Sequence, residues 1–124
     1  MKSQILQTLA ALALIATSAT AQDNPMENHT ASYIAMPAAE GQSEAFAEFL
    51  AGAAPIVRDT EPGTVLWFAL QANDTLAIFD IFADEEARNA HFSGAVAAAL
   101  NQNSDTLVDG GWDDGVVANI NNSD

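Results

Sequence analysis

Apolar positions along the chain change their period several times, and each change marks an element. From Gly41 onward, Phe46, Phe49, Leu50, Ala53, Ile56 and Val57 recur at spacings of three and four, which is one stripe of an amphipathic helix. Ser43 or Gln42 lies near its cap. Glu40, Glu44 and Glu48 stand toward its start and Arg58 near its end, the polarity that the helix dipole favours. Pro55 falls inside this stretch and is expected to kink the helix or divide it. Before it, Ser32–Met36 is a short strand-type run closed by Pro37, whose missing N–H suits a strand end or edge. After it, Glu61-Pro62-Gly63 makes a turn. Thr64–Gln71 and Thr75–Phe82 are then apolar on both parities, and Ala72-Asn73-Asp74 joins them tightly as a hairpin.

Asp84 is a good N-cap for a second helix, with Glu85 and Glu86 in its first turn and Ala87, Ala90, His91, Ala95, Val96 and Leu100 at helical spacing. This helix is expected to end over Asn101–Asp105. A short helical turn at Asp105–Val108, a break at Gly110-Gly111 and a last strand over Gly115–Ile120 should follow. The order strand, helix, strand, strand, helix, strand is the split βαβ pattern of ferredoxin-like α+β domains. Two helices cover only one face of a sheet, yet the hairpin strands are apolar on both faces. A second sheet is therefore expected on the open face, which predicts a homodimer with its sheets stacked face to face.

The ends of the chain read differently. Lys2, the apolar run Leu6–Ala16 and the small residues Ala19-Thr20-Ala21 form the three parts of an export signal over residues 1–21. The run is too short for the roughly 20 apolar residues that a spanning helix needs. Residues 22–30 are polar and aperiodic and read as a flexible leader. Residues 31–121 form the domain, and 122–124 a polar tail. A periplasmic or secreted protein, free of the membrane once the signal is cleaved, is expected.

Without the signal, two cations, Arg58 and Arg88, face 17 acids, for a formal charge of −15. Nucleic acid is thereby excluded as a partner, since recognising its phosphates needs clustered Lys and Arg. The absence of cysteine excludes disulfides, thiolate nucleophiles and Cys-ligated metals. No calcium-loop rhythm, phosphate-binding loop or dinucleotide fingerprint is present, and neither a metal nor a cofactor is expected.

Glu61-Pro62-Gly63, Asp80, Phe82, Asp84, Ala87 and His91 together resemble the antibiotic-biosynthesis-monooxygenase-like family of dimeric α+β barrels. That family typically has an acidic-Pro-Gly turn before its second strand and a strand ending in an acid and an aromatic residue. An acid and an alanine then open a helix that carries a histidine one turn on. This chain has Asp80 and Phe82 where Glu and Trp are usual. The resemblance implies the barrel fold. It also implies an activity such as cofactor-independent oxidation of small aromatic or quinol compounds, or the same cavity used only to bind a ligand. The region Ala98–Gln102 lacks the histidine that ligates iron in haem-degrading relatives.

Two side chains are candidates for catalysis. His91 can serve as a base near neutral pH, and as a partly exposed helix residue it should tolerate replacement by Gln. Asp80 is the only charge within the hairpin strands. It can orient His91, or it can lie at a strand edge, paired with Arg88 or wet. Trp67, Phe82 and Tyr33 are candidates to line an aromatic pocket, and Arg88 to hold an anionic group.

Overall fold

The computed structural model describes residues 29–123, so the expected export signal and most of the expected leader lie outside the described residues. Strand β1 (Thr30–Pro37) leads into helix α1 (Ser43–Thr60), and the hairpin β2 (Thr64–Ala72) and β3 (Thr75–Phe82) follows. Helices α2 (Glu85–Phe92) and α3 (Ala95–Leu107) come next, then a π-helical turn at Gly111–Val116, a 3-10 turn at Val117–Asn119 and the short strand β4 (Ile120–Asn122). The strands form one antiparallel sheet in the order β2-β3-β1-β4, the arrangement expected of a ferredoxin-like α+β chain. Thr30 and Asn122, read from sequence as leader and tail, pair with Phe82 and Ser32 inside the sheet.

Four local expectations are corrected. Helix α1 runs unbroken through Pro55. Pro55 and Ala51, whose carbonyl loses its helical donor to the proline, both lie on the exposed side, where solvent serves that carbonyl. The single helix expected after Asp84 is two. Ser93 closes α2, with its N–H and its Oγ both on the Asn89 carbonyl, and extended Gly94 starts α3. Helix α3 also continues past Asn101–Asp105 to Leu107, where the buried stripe Val96, Leu100, Ser104 and Leu107 extends through the polar stretch and the Asn103 and Ser104 side chains bond back to the Ala99 and Asn101 carbonyls at 2.8 Å. Finally, Gly115–Ile120 is mostly helical turn rather than strand. Gly115 and Val116 are buried in succession, and a strand would point consecutive side chains to opposite faces.

The sheet has two unlike faces. On the helix side, Ile34, Met36, Leu76 and Ile78 pack with Phe46, Leu50, Leu100 and Val116 into one core. Each such side chain contributes ~1.5–3 kcal/mol by leaving water. On the other side, Tyr33, Phe68 and Phe79 are neighbours across three strands, and Leu66 and Leu70 flank them on β2. Phe68 is 51% and Leu70 56% exposed, so this apolar face is open in a single chain.

Candidate functional site

Three polar side chains meet inside the protein, each from a different element. His91 lies near the end of α2 and is 5% exposed; Asp80, on the helix side of β3, is fully buried. Glu61 closes α1 and begins the turn into β2. His91 Nδ1 lies 2.6 Å from Glu61 Oε1, while Nε2 on the opposite edge of the ring lies 3.2 Å from Asp80 Oδ2. The first contact is a short hydrogen bond. The second is an ion pair without hydrogen-bond alignment, and neither Asp80 oxygen has an aligned donor among the described residues.

Local sequence explains how the three are aimed. Asp84 caps α2 by accepting from the Ala87 N–H at 2.8 Å, which fixes the phase of the helix and points His91, one turn further on, at the sheet. Gly63 lies so close to Ala87 that a Cβ on it would stand 2.5 Å from the Ala87 Cβ. The acidic-Pro-Gly turn is thereby pressed onto α2, and Glu61 is carried to the ring. The Gly63 carbonyl also accepts the Ala83 N–H at 2.9 Å, and Thr64 Oγ1 donates to Glu61 Oε1 at 3.4 Å. Phe82 and Phe92 pack on the imidazole at centroid distances of 5.3 and 5.6 Å.

A neutral imidazole has one N–H, and an imidazolium has two. With a carboxylate at each ring nitrogen, the protonated form is the one that satisfies both contacts. Burial pulls the imidazole pKa down, but contact with Asp80 and the charge of Glu61 outweigh it and hold the ring above its ordinary value. The two carboxylates sit at opposite edges of the ring and do not converge on one point. Among the described residues, no group of three or more His, Asp or Glu side chains is placed to hold a metal ion.

Of the residues read from the sequence, His91, Asp80 and Phe82 come together. Asp80 sits in the sheet interior against His91, and not at a wet edge with Arg88. Arg88 instead contacts Glu85 at 3.8 Å and donates to the Ser123 carbonyl at 3.1 Å. Phe82 is fully buried in the core against His91, and Tyr33 lies on the opposite, open face of the sheet. Trp67 is on the helix side, directly across from Asp80 in the β2–β3 register. It forms one wall of a groove of ≈ 490 Å³ between α1 and β2, with Leu50, Ala51, Ala54 and Leu70 beside it and Gln71 as the one amide. Its indole N–H is buried without a partner. Glu61 was not among the sequence candidates. Its motif signals a turn, but only the tight Gly63–Ala87 approach shows where its carboxylate goes.

No protein-family profile and no curated protein matches this chain. Among solved structures, a protein of unknown function from Nitrosomonas europaea is 38% identical; the match covers 77% of this chain and 84% of that one, with a TM-score of 0.64. A candidate antibiotic biosynthesis monooxygenase from Bacteroides thetaiotaomicron matches at 19% identity over 66% of this chain and 81% of its own, TM-score 0.59. Another from Chloroflexus aurantiacus matches at 16% over 77% and 91%, TM-score 0.59. These two likenesses establish a shared fold.

Removing one member of a buried ion pair leaves the other charged and unsatisfied, at a cost of ~3–5 kcal/mol. Contrary to the expectation from sequence, His91→Gln should therefore lower the melting temperature sharply, and adding Asp80→Asn should restore much of the loss. Thermal unfolding of both single variants and the double variant checks this. Near wild-type melting of His91→Gln would contradict the assignment.

Proposed function

We propose that this chain, which belongs to one family with the Nitrosomonas europaea protein and has the fold of the antibiotic biosynthesis monooxygenases, is an exported protein that takes small flat aromatic or quinol-type compounds into the groove between α1 and β2. The observation that carries this reading is the groove itself. It is apolar, walled by Trp67, and supplied with a single amide at Gln71. Such a lining favours a ligand that buries a ring and keeps few polar groups. The −15 charge without the signal disfavours an anionic ligand.

A second reading, cofactor-independent oxygenation of the bound compound, is favoured by the fold and by one placement. Asp80, buried and held by His91, stands directly behind Trp67 in the sheet register. A carboxylate there is the candidate acceptor for a phenolic proton, whereas both His91 nitrogens are already engaged and the ring is screened from solvent. In this reading His91 is a positioning residue for Asp80 rather than the base itself. Thermal shifts and dioxygen consumption with a hydroquinone panel test the two readings together. Binding predicts a ligand-dependent rise in melting temperature that Ala51→Trp, which fills the groove, abolishes. Oxygenation predicts, in addition, oxygen uptake lost in the same variant. No shift with any compound would contradict both.

The working form is proposed to be a homodimer with the two open sheet faces stacked. Leu66, Phe68 and Leu70 expose a contiguous apolar surface of the kind that marks an interface. Light scattering on the signal-free chain should give twice the chain mass, and Phe68→Glu should give monomer. A wild-type monomer at micromolar concentration would contradict this.

A further inference from the structure

Helix α2 is held differently from its neighbours. Helix α1 buries Phe46, Leu50, Ala53 and Val57, and α3 buries Val96, Leu100, Ser104 and Leu107. In the eight-residue α2 the one buried residue is His91. Its other anchors are the Gly63–Ala87 approach, a half-buried Phe92 against Phe82 at 6.2 Å and Arg88, which donates to the Ser123 carbonyl at 3.1 Å. The helix is also bounded by natural hinges, since extended Asp84 precedes it and Ser93-Gly94 separates it from α3.

We propose that His91 is a pH-sensitive latch that fastens α2 and the Glu61-Pro62-Gly63 turn to the sheet, and that α2 swings away from the sheet when His91 loses its proton. The proposal does not depend on the ligand reading above. Protonated, His91 is hydrogen-bonded to Glu61 on the turn and sets its positive charge 3.2 Å from Asp80 on β3, joining three elements through a single ring. Neutral, it brings no charge to either carboxylate, and neither Asp80 oxygen has a hydrogen-bond donor among the described residues.

Among the described residues, no cation stands by to replace the lost proton. On α2 itself, Arg88 is turned to Glu85 and the Ser123 carbonyl. On α1, Arg58 is bound to Asp59 in solvent. Helix α3 carries no titratable residue before Asp105, and β3 presents Phe82 beside Asp80. Loss of the proton therefore strands buried negative charge under the helix with the weakest apolar anchorage.

The sign follows from the ring being held above its ordinary pKa. The latch is fully engaged below the value of an unfolded histidine, and it is lost as pH rises through the higher folded value. Residue-resolved amide hydrogen exchange of the purified protein between pH 6 and 9, corrected for intrinsic rates, tests this. Protection of residues 85–92 should fall by up to about tenfold per pH unit between the pKa of a free histidine and the higher latch pKa, as for release of one proton, and level off above it, while α1 and α3 stay protected. Asp80→Asn should flatten that slope, because Asn keeps the shape without the charge. Should that variant fail to fold, His91→Gln should show α2 already unprotected at pH 6. Protection of α2 that is independent of pH in the wild type, or that falls in step with α1 and α3, would overturn the proposal.

Discussion

A single buried imidazole with a carboxylate on each side is the interaction on which the arrangement of this domain turns. Asp80 is fully enclosed, and an isolated carboxylate in that position would be strongly unfavourable. His91 offsets that cost only if α2 is phased correctly and lies close to the sheet. Glu61 reaches the same ring only if the turn after α1 is tight. The Asp84 cap and the side-chain-free Gly63 meet these two conditions. Scattered residues of the acidic-Pro-Gly turn, the end of β3 and the start of α2 are thus parts of one electrostatic contact.

The contact also separates two tasks that a single histidine might have combined. With both nitrogens engaged, His91 is suited to holding Asp80 and Glu61 in place. The groove proposed for a small molecule lies beside Trp67 and contains no titratable group. Chemistry proposed at that groove would have to reach Asp80, which pairs with Trp67 in the β2–β3 register.

Much of the architecture was legible from pattern alone. Period changes located β1, α1, the hairpin and the start of α2. The double-sided apolarity of β2 and β3 foretold the open face on which Phe68 and Leu70 are exposed. Misreadings arose where a local rule was answered by position. Pro55 is tolerated because it faces solvent, and Gly115 and Val116 form a helical turn because both must be buried. At the site, His91 and Asp80 could be singled out as rare polar residues among apolar neighbours. Pairing them with Glu61 required three-dimensional knowledge, since contacts over 30 residues of separation leave no periodicity to read. Tyr33 was misplaced as a pocket residue for the opposite reason. Aromatic residues on both parities of a strand look alike until the covered face is known.

The account stands most directly on the protonation of His91. Long-range proton–nitrogen correlation at neutral pH should show both His91 ring nitrogens in the protonated range, and Asp80→Asn should shift the ring toward a single tautomer. One unprotonated ring nitrogen in the wild-type protein at neutral pH would contradict an imidazolium shared between Glu61 and Asp80.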